Sequence, residues 1–260
     1  MTMPSLFVSH GSPMLAIQDS PARRFLQDLG KTLPRPKAIV VVSAHWESLG
    51  GPAVSAAGDM ETIHDFGGFP AALFAIRYPA HGSPEVAGEV ARQLEAAGFA
   101  VKVSQQRGLD HGAWVPLMLM YPDADIPAFQ VSVLRGASAA EHERLGRALS
   151  SLREEGVLII GSGSLTHNLY EFRGQGIDAP VADWVSEFGD WMQDALLQGR
   201  REALLDYRRQ APHAARNHPT DEHLMPLYVA MGAGGENPKA RRLHTSVEYG
   251  VLAMDVYAFA

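Results

Sequence analysis

The chain has 260 residues with 11 histidines and no cysteine, and its formal net charge at pH 7 is −7. The absence of cysteine excludes disulfides, thiolate zinc sites, iron–sulfur clusters and a cysteine nucleophile, so any metal ligands must be His, Asp, Glu or backbone oxygen. The mild acidity argues against a nucleic-acid partner, which requires a basic surface. No apolar run approaches the roughly 20 residues of a spanning helix, and the first residues lack a basic leader. We therefore expect a soluble, cytoplasmic protein with no membrane partner.

Short β-branched or apolar runs predict buried strands. In chain order these runs are Leu6–Ser9, Ala38–Ala44, Phe99–Ser104, Ala128–Leu134 and Val157–Gly161. The tail over 247–259 predicts one further strand, with an antiparallel partner.

Helical patterns lie between several of these strands. Ser83 followed by Pro84 is typical of a helix start, and Gly98 ends that helix. Ser138 and Glu141 have the spacing of a capping box, which predicts a helix to about Gly156.

A third helix is predicted from Val181 to Gln198. Its apolar residues recur at helical spacing and indicate a face packed on the core. Those residues are Trp184, Phe188, Trp191 and Leu196.

Alternating strands and helices favour the α/β class. We expect residues 1–260 to form a single three-layer domain, with a central, mostly parallel but mixed sheet and helices on both faces. The strand order is left open.

Three histidines share one local context. His10 and His45 follow buried strands directly, and His167 comes shortly after the strand that ends near Gly161. In an open α/β sheet, ligand crevices form at the carboxyl ends of the strands. If these strands are neighbours, the three imidazoles converge, and several histidines at matching strand ends favour a metal site.

The remaining histidines divide by context. His223 lies near a predicted helix start. The helix begins either next to Thr220, which would cap it, or only at about Pro226. His64 and His111 lie in loop-like, glycine-flanked settings. The others are interpreted as ordinary residues, with His142 on a solvated helix face and His218 left open; they are His81, His142, His213 and His244.

Seven segments around these histidines are long and idiosyncratic, and they run from the N-terminus to about residue 230: Ser9–Met14, Val42–Trp46, Thr62–Pro70, Asp110–Trp114, Met120–Pro127, Thr166–Leu169 and Glu222–Leu227. Together they resemble the 4,5-DOPA extradiol dioxygenase family, a branch of the class III ring-cleaving dioxygenases.

The resemblance implies a single α/β domain with one divalent metal ion per chain. By that resemblance the metal ligands are His10, His45 and His223, with His167 as a fourth ligand in zinc-bound members. In ring-cleaving relatives the residue matching His167 is the acid/base group, and His111 matches a second pocket histidine. The implied cofactor is Fe(II) for dioxygenase activity, with Zn(II) as an ion that could be found bound, and the implied partners are a small aromatic diol and O₂.

One departure from the wider superfamily concerns charge. The usual ferrous site has two histidines and one carboxylate, whereas three neutral histidines leave the full +2 charge of the ion. Five carboxylates stand nearby in sequence and are interpreted equally well as hydrogen-bond partners of ligand histidines or as ordinary loop acids: Glu47, Asp65, Asp110, Asp221 and Glu222. Four aromatic residues adjoin the histidines and could wall a pocket or simply pack in the core: Trp46, Phe66, Phe69 and Trp114.

The leading hypothesis is therefore a metal-dependent extradiol dioxygenase that opens catechols, with DOPA-like substrates first. A zinc-dependent hydrolase or lyase that uses the same histidines is the second hypothesis. A non-enzymatic binding protein on the same fold is the third. The physiological substrate, the choice between iron and zinc, the cleavage position and the oligomeric state are left open by the sequence.

Overall fold

A computed structural model describes residues 2–260. The strands are β1 (Ser5–Ser9), β2 (Ala38–Ser48), β3 (Ala53–Ser55), β4 (Lys102–Ser104), β5 (Ala128–Leu134), β6 (Val157–Gly163), β7 (Ala240–His244), β8 (Val247–Glu248), β9 (Leu252–Ala253) and β10 (Val256–Phe259). The helices are α1 (Pro21–Thr32), α2 (Ala71–Ala75), α3 (Pro84–Ala96), α4 (His111–Met120), α5 (Ala139–Ala148), α6 (Asp183–Leu197), α7 (Arg201–Leu205), α8 (Tyr207–Gln210), α9 (Ala214–Asn217) and α10 (Met225–Ala233).

The main sheet has eight strands in the order β4-β3-β5-β2-β6-β1-β10-β7. Its central strands β5, β2, β6 and β1 are parallel to one another, while β3 and β10 run antiparallel to their inner neighbours. The prediction of a mostly parallel, mixed sheet is confirmed, as is the antiparallel pairing of the tail. Since β6 lies between β1 and β2, the three strands that carry histidines are neighbours.

The two faces of the sheet are covered by different helices. A Cβ at Gly161 would overlap the carbonyl oxygen of Pro226 in α10, whereas the Ser162 hydroxyl donates to the carbonyl of Gly112 in α4. Successive side chains of a strand point to opposite faces. Hence α10 and α4 lie on opposite sides of β6, which confirms the three-layer arrangement.

The core lies between the sheet and these helices. Strands β1, β5 and β6 are buried along their whole length, and so is α10. An α-helix or strand buried on all sides has a nearly continuous apolar sequence instead of a polar face. None of the helices within residues 2–260 combines the length and apolar character needed to cross a membrane.

Local cap chemistry agrees with the predicted helix starts. The Ser83 side chain accepts from the Val86 amide with Pro84 in the first turn, and Ser138 and Glu141 form the predicted capping box. The helix after Ser138 is shorter than predicted, because α5 ends at Ala148 and a 3₁₀ turn follows over Ser150–Arg153.

Several predicted strands have different bounds. Strand β2 extends past Ala44 to Ser48, so His45 lies within it instead of after it, and β6 extends to Gly163. Two others differ more. The run from Phe99 pairs only over Lys102–Ser104, because the Phe99 amide bonds back to Leu94 at the end of α3. The tail is divided into β8, β9 and β10, because Tyr249 and Gly250 adopt positive φ and turn the chain.

Three local predictions for histidine segments were wrong. His142 is buried and not solvated, since its Nε2 accepts from the Leu134 amide at 3.0 Å and its Nδ1 lies 2.9 Å from the Ser138 carbonyl. His111 is the first residue of α4 and not part of a loop. Thr220 caps no helix, because the next helix begins at Met225, as the alternative based on Pro226 predicts.

Candidate metal centre

The order of the central strands brings three predicted ligands together. His10 follows β1 directly, and its amide bonds to the Gly163 carbonyl at the end of β6. His45 lies in β2 where the pairing with β5 shifts register. His223 precedes α10, and its carbonyl accepts from the Ser164 amide just after β6.

The imidazoles of these three residues point at one another. The Nε2 atom of His45 lies 3.0 Å from Nε2 of His10 and 3.3 Å from Nε2 of His223. The three residues each offer one ring nitrogen, and these nitrogens lie within 4.8 Å of one another.

The far nitrogens of two of these rings determine their tautomers. Ser162 donates its one proton to Gly112, so its Oγ accepts from Nδ1 of His10 at 3.0 Å. A carboxylate of Glu222 lies 2.9 Å from Nδ1 of His223 and can only accept. In both rings Nδ1 therefore carries the proton, and Nε2 presents a lone pair to the centre.

His45 is held differently. Its Nδ1 faces Oδ2 of Asp65 at 3.6 Å, which is an ion-pair distance and too long for a hydrogen bond. Its amide donates to Ser43 Oγ, which in turn donates to the fully buried Asp110 at 2.7 Å. The backbone of His45 is thus fixed more tightly than its ring.

Burial keeps these imidazoles uncharged. It lowers the pKa of His10 and of His223 well below the ordinary value, and the surrounding histidines lower both further. The pKa of His45 is lowered to about 4, mainly by burial and next by the neighbouring His111. The carboxylates of Asp110 and Asp65 oppose this shift.

The Nε2 lone pairs of His10 and His223 both face Nε2 of His45, and a neutral His45 can donate a proton from that atom to only one of them. Neutral imidazole nitrogens backed by hydroxyl or carboxylate acceptors are the donors that metal sites use. The residues present therefore fit a divalent metal ion.

His111 and Asp65 lie beside this trio. Oδ1 of Asp65 accepts from the His111 amide at 2.9 Å and lies 3.0 Å from Nδ1 of His111, although that ring N–H does not point straight at it. Burial alone would raise the pKa of Asp65, but its hydrogen bonds and charge attraction with His111 lower it to about 2. Asp65 is therefore an anion between His45 and His111.

His167 lies against His223. Its ring stacks on that of His223 with centroids 3.5 Å apart and planes 6° from parallel, and it groups with Glu222 instead of with His10 and His45. Burial lowers the pKa of His167 to about 4, although the Glu222 carboxylate raises it. Its role as a fourth ligand stays a prediction.

The five nearby carboxylates differ in their partners. Three of them pair with arginines: Glu47 with Arg135 at 3.5 Å, Asp110 with Arg107 at 2.8 Å, and Asp221 with Arg208 at 2.8 Å. Asp65 and Glu222 instead face histidines.

The aromatic candidates also differ in position. Phe66 meets His111 edge-on at 5.6 Å and Phe69 at 5.4 Å, so it lies next to the centre. Trp114 is fully buried, and its Nε1 donates to the Ile63 carbonyl. Trp46 instead lies under the Arg107 guanidinium at 5.2 Å.

The other histidines lie outside the three groups of potential ligands. His81 and His213 are exposed and pair with Asp59 and Glu187, and His244 stacks on Phe25. His64 packs near Phe66 and Trp114. His218 is buried behind His167, and its Nε2 donates to the Leu165 carbonyl at 2.8 Å.

Two site residues escaped sequence reasoning. Ser162 lies in a Gly-Ser-Gly segment at the end of β6, which by itself suggests only a tight turn. Gly112 lies next to the rings of His10 and His45, where a Cβ would come within 2.5 Å of Ser43 Oγ and 3.1 Å of both rings. The signal in the sequence that could have pointed to Gly112 is its position directly after His111.

The chain is similar to several known proteins. The chain is 46% identical to a Beta vulgaris protein named 4,5-DOPA dioxygenase extradiol, over 98% of this chain and 96% of that protein. It is 42% identical to the Escherichia coli (strain K12) protein of the same name, over 97% of this chain and 93% of that one. The crystal structure of an uncharacterised E. coli K12 protein is similar with a TM-score of 0.83 at 36% identity, covering 99% of this chain and 100% of the other. Residues 4–259 match the catalytic LigB subunit of aromatic ring-opening dioxygenase, and the chain belongs to this enzyme family.

Proposed function

We propose that this protein is a metal-dependent extradiol dioxygenase that opens the ring of catechols, with DOPA-like catechols as the first candidates. The observation that carries the proposal is the convergence of the Nε2 atoms of His10, His45 and His223, two of which have their far nitrogens held by acceptors. The names of the similar proteins support the DOPA-like substrate class. Membership in a ring-opening family favours this reaction over the hydrolase, lyase and binding-protein alternatives.

One divalent ion per chain would be held by His10, His45 and His223, with His167 as a proposed fourth ligand when zinc is bound. We propose Fe(II) for the dioxygenase activity and Zn(II) as an alternative occupant. Bound Fe(II) would supply open positions for the two catechol oxygens and for O₂, so that the reactants meet in one site.

His167 is the proposed general base for a catechol hydroxyl. At neutral pH its imidazole is unprotonated, because burial lowers its pKa to about 4, and only this form accepts a proton. The nearby Glu222 carboxylate then stabilises the imidazolium. Stacking on His223 holds the ring beside the ligand trio.

His111 is the proposed second catalytic residue. Its Nδ1 lies on the Asp65 side, and its ring packs 4.0 Å from that of His45. An imidazole at this place can donate to negative charge that develops on the substrate or on oxygen. Phe66, in edge contact with His111, would exclude water from that side.

The test is to load the metal-free protein with Fe(II) under anaerobic conditions and then to add L-DOPA or simple catechols with O₂. We expect O₂ uptake together with a yellow ring-opened product, and neither with the Zn(II)-loaded protein. An absence of turnover across a catechol panel at full iron occupancy would contradict the proposal.

We also propose that residues 1–260 act as one catalytic domain in the cytoplasm, where the reducing environment that keeps thiols reduced would also keep a ferrous ion reduced. Cell fractionation tests the location. Limited proteolysis tests the domain, since one domain should resist internal cleavage.

A further inference from the structure

Two carboxylates lie beside the ligand trio, each in a different group of potential ligands. Asp65 groups with His45 and His111, and Glu222 groups with His167 and His223, with the ligand atoms of each group within 4.8 Å of one another. Each carboxylate therefore lies between one proposed ligand and one proposed catalytic histidine.

These two carboxylates are the ones whose charge no arginine offsets. Among the five acids near the site, Glu47, Asp110 and Asp221 each pair with an arginine. The partners that residues 2–260 provide for Glu222 are His223 at 2.9 Å and the Thr220 hydroxyl at 3.1 Å. For Asp65 they are the His111 amide and the rings of His45 and His111.

The side chains of both groups are only partly exposed to water. The side chains of Asp65 and Glu222 are 22% and 23% exposed. Two uncompensated negative charges in such a place are unfavourable unless a cation lies nearby, because the low local dielectric strengthens their repulsion.

We propose that Asp65 and Glu222 together supply, from outside the ligand set, the negative charge that three neutral histidines do not give a divalent ion. They are positioning residues: Glu222 holds the His223 tautomer, and Asp65 attracts the N–H side of His45. The two charges balance the ion, so a site without a ligand carboxylate still favours a divalent cation. This inference rests on the ligand trio of the proposed function.

The experiment measures the affinity of the metal-free protein for Zn(II) and Co(II) by competition with a chromophoric chelator. D65N and E222Q keep the size of each side chain and remove only the charge. We expect each to weaken binding about 10- to 100-fold, as for other hydrogen-bond partners of ligand histidines. In D65N/E222Q the two effects should multiply, because each acts on a different ligand.

E47Q and D221N are matched controls, since they remove the same charge in the same neighbourhood from arginine-paired acids. Both should bind within twofold of wild type. The ligand-field spectrum of bound Co(II) and the melting temperature of the metal-free protein report whether each variant keeps the ligand set and the fold. If an amide variant does not fold, D65E and E222D replace it, because they keep the charge. The reference is then a folded double variant without either charge, D65S/E222S. D65E and E222D should each bind metal at least tenfold more tightly than this double variant.

The inference is overturned if D65N and E222Q bind within twofold of wild type, or if the controls lose as much affinity as they do. It is also overturned if wild type binds neither metal. A wild-type protein that binds metal with the expected variant pattern but does not open catechols would refute the proposed reaction alone.

Discussion

Ser162 determines which nitrogen of His10 carries the proton. The hydroxyl of Ser162 gives its proton to the Gly112 carbonyl and accepts from Nδ1 of His10 at 3.0 Å. Strand β6 thereby orients the Nε2 lone pair of His10, the residue that follows neighbouring β1, toward the centre. This arrangement depends on β6 lying between β1 and β2.

Replacing Ser162 with Ala should weaken metal binding about tenfold or more, because partners of ligand histidines fix the tautomer and the ring orientation. The buried Nδ1–H would lose its acceptor, which should lower the free energy of unfolding by about 1–3 kcal/mol. Chelator competition and urea unfolding measure the two effects. S5A is the control, since Ser5 is buried and donates to the Ala230 carbonyl away from the site; it should lose stability and keep metal affinity.

Substituting His10 or His223 with Ala should abolish stoichiometric binding at limiting metal, because either change removes one of the three converging nitrogens and leaves a site with fewer ligands, even if His167 joins it. Elemental analysis after equilibration with Zn(II) measures the metal content per chain. H81A, at an exposed residue paired with Asp59, should keep one ion. Full metal content in H10A would show that the ligand trio is wrongly assigned.

H167A separates the role of a base from that of a ligand. If His167 is the base, Fe(II)-loaded H167A should lose about 10²- to 10⁴-fold in kcat for catechol opening and keep its metal. Oxygen uptake and metal content are measured on the same sample. Unchanged turnover would rule out His167 as the base, and loss of the ion would assign it to the ligand set.

Gly112→Ala should disrupt the centre, because its Cβ would come within 2.5 Å of Ser43 Oγ and 3.1 Å of the His10 and His45 rings. Overpacking of this kind costs about 1–3 kcal/mol in unfolding free energy. We expect metal affinity to fall with stability. The control is G189A in α6, where a Cβ meets nothing within 4 Å and should stabilise the helix by up to about 1 kcal/mol.

Asp255 should make stability depend on pH. Burial raises the pKa of Asp255 from 3.8 to about 6, although Arg242 opposes this. Between these values the folded state binds more protons at this carboxyl than the unfolded state, so the stability it contributes falls as pH rises through the window. The shift corresponds to about 3 kcal/mol.

Urea unfolding of wild type and D255N across this range measures the effect. The difference in unfolding free energy, wild type minus D255N, should decrease from about pH 4 to pH 7. A difference that stays constant or grows with pH would contradict the prediction.

Much of the fold follows from local patterns. The apolar runs of β1, β5 and β6 and the caps at Ser83 and Ser138 were predictable, because strand periodicity and cap chemistry involve residues close in sequence. The burial of His142 was not predictable from local patterns, because it depends on a hydrogen bond from the Leu134 amide in β5.

The sequence by itself determined that three histidines come at or after apolar runs typical of buried strands and that no thiolate holds a metal here. Only the tertiary structure decided which groups meet at the centre. It placed β6 between β1 and β2 and brought Ser162 into contact with His10. It also paired Glu47 with Arg135, whereas Asp65 and Glu222 lie next to histidines. Those contacts join residues far apart in the chain, so they depend on strand order and helix packing, which no local pattern contains.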